Sequence, residues 1–95
     1  MQTYFTEKLM ETSQLYCLAG YDYKLGAYPT PQGSHRGLIL LVAFSGTPFS
    51  PSIKIPTPTN FRTDQAARIE ASALAHQLIL TDAIKTHIPH DESPE

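Results

Sequence analysis

A segment rich in alanine and leucine, residues 63–86, is predicted to form one long helix. It follows a stretch that cannot be helical, residues 29–58, because six of the eight prolines lie there and proline disrupts a helix interior. Thr63 is a credible N-cap, and Asp64 places negative charge in the first turn, where the helix dipole favours it. A helix packed on a small sheet is therefore the predicted architecture.

Three strands are predicted before this helix. Residues 14–25 alternate between apolar and polar side chains, with Gly20 marking a bulge or a strong twist. After a predicted loop at 26–37, the apolar run 38–44 suits a central strand, and residues 52–55, between two prolines, suit an edge. The fold class is predicted to be α+β, with a three-stranded antiparallel meander packed against one long C-terminal helix.

The 95 residues are predicted to form a single domain, with two parts of the chain left open. Residues 1–13 form either a short helix or a loosely docked arm, and residues 90–95 are predicted to be a disordered tail. Thr81 and Asp82 either continue the helix or begin a separate short helix that ends before Pro89.

The predicted helix carries two apolar stripes, which is more than one small sheet can cover. One stripe consists of Ala67, Ala71, Leu74, Ala75 and Leu78. The other contains the residues predicted to form a protein–protein interface, namely Ile69, Ala73, Leu80 and Ile84. Because a helix packed on one side needs an apolar stripe only about 100° wide, the second stripe predicts a homodimer or another protein partner.

Charge and cysteine content narrow the class of protein further. The net charge is −2 and the seven basic residues are scattered, which argues against binding to a phosphate backbone. Cys17 is the single cysteine, so a reducing, cytoplasmic location is predicted. The amino-terminal residues do not resemble a secretory signal, and the longest apolar run is far below the ~20 residues needed to cross a bilayer.

Tyrosines on the predicted first strand suggest an alternative function. Tyr21 and Tyr23, with Arg36 nearby, could form a platform on which bases of single-stranded nucleic acid stack. Tyrosines that alternate along a strand are more often engaged in cross-strand packing. A sheet-based nucleic-acid-binding regulator is therefore the alternative to a protein-interaction domain.

No catalytic, cofactor or metal site is predicted. A cysteine-dependent enzyme would have to pair Cys17 with His35 or His76, but the neighbours of Cys17 supply no positive charge, so a buried structural cysteine is predicted. His87 and His90 have a metal-like spacing, but the proline between them breaks the helix that would align them. The sequence thus favours a non-enzymatic domain.

The order of short motifs resembles a known type of domain. These motifs are Tyr16-x-x-x-Gly20-Tyr21, an apolar strand, and Phe61-x-Thr63-x-x-x-Ala67 at the entry to the helix. The order is similar to that of small bacterial β-β-β-α domains of unknown function, in which a meander is backed by one helix. The resemblance covers residues 14–80, and it implies a fold without implying an activity.

Overall fold

The computed structural model describes residues 14–89, which form a four-stranded antiparallel sheet with one α-helix packed on it. The elements in chain order are β1 (Tyr16–Leu18), β2 (Tyr21–Pro29), β3 (His35–Phe44), β4 (Thr47–Phe61), α1 (Asp64–Leu80) and a 3₁₀ helix (Ala83–His87). The strand order is β1-β2-β3-β4, a meander. The predicted α+β class is confirmed, with four strands where three were predicted. The predictions for residues 1–13 and 90–95 lie outside the described residues.

The additional strand arises because the predicted strand 14–25 is two strands. Ala19 and Gly20 have φ angles of 52° and 89°. Two successive positive φ angles are typical of the two-residue turn that closes a tight hairpin. Ser45 and Gly46 form the equivalent turn between β3 and β4, with φ angles of 51° and 82°. The Ser45 amide donates to the Gly20 carbonyl at 2.8 Å, so the two turns lie side by side at one end of the sheet.

Residues 26–37, predicted to be a loop, are mostly strand. β2 continues to Pro29 and β3 begins at His35, which leaves a five-residue loop between them. The Thr30 amide closes this loop by donating to the Ser34 carbonyl at 2.8 Å. The segment with the prolines at positions 29 and 31 is not helical, as expected, but Pro29 is accommodated at the end of a strand.

β4 is an edge strand of 15 residues, much longer than the predicted 52–55. Its prolines are Pro48, Pro51, Pro56 and Pro58. Proline cannot donate to a neighbouring strand, and an edge strand is where that loss costs least. The predicted edge position is therefore confirmed, and the prolines make this long edge a poor template for another strand.

α1 begins where the sequence predicts and ends earlier. The Thr63 hydroxyl accepts a hydrogen bond from the Ala66 amide at 3.0 Å, which is the expected N-cap. The helix stops at Leu80 because Asp82 adopts a φ of 71°, in the left-handed region. A separate 3₁₀ helix follows, so the second of the two alternatives for this segment is confirmed.

The main core lies between α1 and one face of the sheet, here called the inner face. The buried helical residues are Ala67, Ala71, Ala75 and Ile79, and the last three pack over Tyr21, Tyr23, Ile39, Leu41 and Ile55. Three of the four are alanines, which lets the helix lie close to β3. At Gly37 a side-chain methyl group would overlap the carbonyl oxygen of Ala67. The absence of a side chain at Gly37 therefore sets how close α1 lies to the sheet.

Candidate interaction surface

α1 exposes an apolar stripe on the side opposite the sheet. Ile69 is 62% exposed and Leu80 is 66% exposed, and Ala73 between them is exposed as well. At about 100° per residue, these three positions lie within roughly 40° of one another and opposite the buried alanines. We call Ile69, Ala73 and Leu80 the outer stripe. Burying either large side chain against a partner is worth about 1.5–3 kcal/mol.

Ile84, the fourth predicted interface residue, does not belong to the outer stripe. The chain leaves the helix at Asp82 and turns back, so that Ile84 in the 3₁₀ helix is fully buried in the main core. The prediction for Ile84 is wrong because a continuous helix would have placed it one turn beyond Leu80 on the same side. The structure thus brings three of the four predicted residues together.

A groove of about 290 Å³ runs beside the outer stripe, between α1 and the β1–β2 hairpin. The hairpin contributes Tyr16, Tyr23 and Leu25, and the helix contributes Gln65, Arg68, Ile69, Ser72 and His76. The rings of Tyr16 and Tyr23 stack with 5.6 Å between their centroids. Ile69 belongs to both the outer stripe and the groove, so the exposed apolar surface continues from the helix onto the hairpin. Sequence reasoning did not assign Tyr16 to an interaction surface. Its pairing with Tyr23 depends on the turn at Ala19 and Gly20, which was not predicted.

Few charges interrupt this surface. Glu70 is the one charged residue between positions 69 and 80 when histidine is neutral. Asp64 and Arg68 form an ion pair near the start of the helix, with both side chains half exposed. The His76 ring donates from Nδ1 to the Ser72 carbonyl oxygen at 3.0 Å, which holds it along the helix. An apolar stripe with charges only near its ends resembles the centre of a protein interface, where charged residues are depleted.

Tyr21 and Tyr23 cannot form the predicted stacking platform. They are 4% and 3% exposed because their face of the sheet is the inner face, which α1 covers. Arg36 lies on the opposite face, in register with Tyr28, and its Nε donates to the Asn60 Oδ1 at 2.8 Å. Tyr28, Arg36 and Asn60 line an open groove of about 650 Å³ at the end of the sheet where the loop 30–34 lies. The placement of a nucleic-acid contact on Tyr21 and Tyr23 is therefore wrong.

Cys17 is exposed, and the prediction of a buried structural cysteine is wrong. It lies opposite Asp22 in the β1–β2 ladder, on an edge strand that is too short to bury both of its faces. The hydrogen bond from the thiol to the Asp22 carboxylate raises the pKa of Cys17, and desolvation adds to this effect. A catalytic cysteine needs the reverse, a lowered pKa that favours the thiolate.

Neither candidate histidine is placed to activate Cys17. His35 pairs with Pro29, seven residues along β2 from Asp22, which corresponds to roughly 23 Å. His76 lines the groove on the helix side of the sheet, whereas Cys17 alternates with Tyr16 and so points to the other side. The described residues therefore do not assemble a cysteine–histidine pair.

We expect the substitution Asp22→Asn to accelerate alkylation of Cys17 by iodoacetamide near neutral pH. The carboxylate raises the pKa of the folded-state thiol, so removing it lowers that pKa and increases the thiolate fraction at a given pH. The rate profile against pH, followed by mass spectrometry, should shift to lower pH. Asp82→Asn is the matched control, because Asp82 is exposed and remote and asparagine tolerates its positive φ. An unshifted profile for Asp22→Asn would refute the assigned cause.

Between residues 14 and 89, no three histidine, cysteine, aspartate or glutamate side chains come together in a way that could hold a metal ion. His87 lies in the 3₁₀ helix, and its predicted neighbour His90 is outside the described residues. Among the described helices, none combines the length and the hydropathy needed to cross a membrane.

Comparison of the chain with protein-family models, with curated proteins and with solved structures found no match in any of the three. The resemblance to small bacterial β-β-β-α domains therefore stays a prediction. The function has to be argued from the geometry of the outer stripe and the groove.

Proposed function

We propose that this protein is a non-enzymatic protein-interaction domain that forms a homodimer through the outer stripe of α1. The observation that carries the proposal is the exposure of Ile69 and Leu80, 62% and 66%, on one side of one helix. Single exposed aliphatic residues are common on protein surfaces. Two of them aligned with an alanine on a weakly charged helix face concentrate apolar surface on one side of α1, and concentrations of exposed apolar surface mark interaction sites.

A second copy of the same helix is the occupant that fits the outer stripe. In an antiparallel pair related by a two-fold axis, Ile69 of one protomer lies opposite the partner's Leu80, and the same contact is made twice. Ala73 lies near the axis, where a small side chain permits helix axes about 8–10 Å apart. The antiparallel arrangement also places the positive end of each helix dipole near the negative end of the other.

The groove supplies area that the outer stripe alone lacks. Stable interfaces bury upwards of about 1,000 Å² in total, more than two aliphatic side chains per protomer provide. Tyr16 is 37% exposed and lines the groove next to Ile69. We place this side chain in the same interface, at its outer end.

Sedimentation velocity over a range of concentrations tests the proposal. We expect the wild-type protein to move from a monomer of 10.5 kDa to twice that mass as the concentration rises. The double substitution Ile69→Lys with Leu80→Lys should remain monomeric, because a two-fold axis would bring its added positive charges together and bury them. Its circular dichroism spectrum and Tm should stay close to those of the wild type, since both positions are exposed.

The matched control is Thr47→Lys with Thr59→Lys, which adds the same charge at exposed positions of β4. This control should dimerise as the wild type does. A wild-type protein that stays monomeric at every concentration, or a stripe variant that dimerises as well as the control, would refute the proposal.

The alternative function is nucleic-acid binding by the sheet. Of its three predicted contact residues, Tyr21 and Tyr23 are buried, and only Arg36 lines an open groove. Neither a cytoplasmic location nor a bacterial source follows from the fold, and both stay predictions.

A further inference from the structure

His76 is the one side chain of α1 whose type changes its charge near neutral pH. It is exposed, and at about 100° per residue it lies within roughly 60° of Ile69, Ala73 and Leu80. Its ring also lines the groove beside the outer stripe. Nδ1 donates to the Ser72 carbonyl oxygen, which leaves Nε2 as the nitrogen that can face a partner. His76 therefore belongs to the surface that the proposed homodimer would bury.

A two-fold axis brings two copies of this side chain together. When Ile69 lies opposite the partner's Leu80, the axis passes midway between them along the helix, between positions 74 and 75. His76 and the partner's His76 are then about 4.5 Å apart along the helix direction, on the same side of the interface. With helix axes about 8–10 Å apart, the two α-carbons are about 7 Å apart. Two imidazole rings attached at that distance can contact each other.

No carboxylate of α1 is placed to neutralise a charged His76. Glu70 lies roughly 120° away around the helix, so it faces a different direction. Asp64 lies more than three turns earlier and pairs with Arg68. A proton on the imidazole ring would therefore add a positive charge to the outer stripe without a counter-charge from its own helix.

The other described elements next to the groove do not supply a counter-charge either. On the β1–β2 hairpin, the titratable groups that line the groove are Tyr16 and Tyr23, and phenols are uncharged at neutral pH and below. Beyond the end of α1, Asp82 pairs with Lys85 at 3.2 Å. The guanidinium group of Arg68 lines the same groove as the imidazole ring and adds positive charge there. Within residues 14–89, the surroundings of the ring thus favour its neutral form once water is excluded.

We propose that the homodimer is pH-sensitive, and that the two His76 rings at its axis are the switch. This inference rests on the homodimer proposed above. Histidine gains a positive charge as the pH falls from about 8 to about 5. Two imidazolium groups at the axis repel each other and lose hydrating water without a counter-charge. The dimer therefore binds protons less well than the monomer does, protons are taken up on dissociation, and acid shifts the equilibrium to the monomer.

Sedimentation velocity at about pH 7.5 and about pH 5.5 tests the inference. We expect the dissociation constant of the wild-type dimer to be about tenfold higher at the lower pH. His76→Gln keeps a polar side chain that cannot be charged, so its dissociation constant should change little between the two pH values. His87→Gln is the matched control, because His87 is exposed and lines a different cavity, and it should behave as the wild type does.

A mixture of two variants tests the proximity of the rings independently of pH. His76→Lys protein and His76→Glu protein are combined at neutral pH, and native mass spectrometry measures the share of mixed dimers. Opposite charges then face each other at the axis, so the mixed dimer should exceed the half share that random pairing gives. Random pairing would show that the two positions lie apart, and it would overturn the proposal.

The outcomes separate this inference from the homodimer on which it rests. A wild-type dimer whose dissociation constant is no higher at the lower pH overturns the switch and leaves the homodimer in place. Wild-type pH dependence in His76→Gln does the same. A wild-type protein that stays monomeric at both pH values overturns the homodimer and the switch together. A tenfold change that is abolished in His76→Gln and retained in His87→Gln supports the proposal.

Discussion

Ile84→Lys is expected to unfold the domain, whereas Leu80→Lys, four residues earlier, leaves it folded. Ile84 is fully buried in the main core, and an unpaired ammonium group there has neither water nor a counter-charge. Domains of this size are stable by only about 5–15 kcal/mol, so a buried charge consumes most of that stability. Leu80 is 66% exposed, and a substitution there stays within about 0.5 kcal/mol.

Milder substitutions at Ile84 give a graded version of the same test. Ile84→Val is expected to cost about 0.5–1.5 kcal/mol and Ile84→Ala about 2–5 kcal/mol, as for buried aliphatic residues in general. Urea denaturation gives these values, and the dispersion of amide signals reports whether Ile84→Lys folds at all. A folded Ile84→Lys protein with the wild-type Tm would show that the 3₁₀ helix does not pack on the core.

Gly37→Ala is expected to be strongly destabilising for the addition of a single methyl group. The new Cβ would overlap the Ala67 carbonyl oxygen and lie 2.8 Å from Cγ2 of Thr57. The strand cannot easily move away, because the Gly37 amide donates to the Thr57 Oγ1 at 3.0 Å, and that hydroxyl donates to the Thr59 carbonyl at 3.0 Å. Overpacking of this kind costs about 1–3 kcal/mol, and more when the obstacle is backbone.

Gly33→Ala is the control that separates steric overlap from backbone strain. Gly33 has a φ of +84°, but no atom lies within 4 Å of the position its Cβ would take. Its substitution should therefore cost only the left-handed backbone penalty of about 1–2 kcal/mol. We expect Gly37→Ala to lower the urea midpoint further than Gly33→Ala does. Equal midpoints would mean that α1 is not held in close contact with β3.

The helix was predictable because its signals are local. Thr63 caps the first turn, and the alanines spaced four apart fall on one side, whatever they pack against. The hairpin turns were missed because their first residues are Ala19 and Ser45. Asparagine or aspartate before glycine is the usual indication of such a turn, and alanine or serine gives no comparable signal.

The errors about the sites have long-range causes. Whether Tyr21 and Tyr23 face water or the helix depends on which side of the sheet α1 covers, and alternation along one strand leaves this open. Ile84 was assigned to the interface because the sequence left the end of the helix undecided at Asp82. The exposure of Ile69, Ala73 and Leu80 was predictable, since their position opposite the buried alanines follows from helical geometry alone, and their role in an interface stays a prediction.

Isotope-filtered nuclear Overhauser spectroscopy on a mixed dimer tests the outer stripe most directly. One population carries labelled methyl groups and the other carries none, so that the filtered spectrum contains only contacts between protomers. The antiparallel pairing predicts contacts between the Ile69 methyl groups and the partner's Leu80. A dimer whose filtered contacts arise from the edge of β4 or from the face of the sheet opposite α1, with none from Ile69 or Leu80, would contradict it.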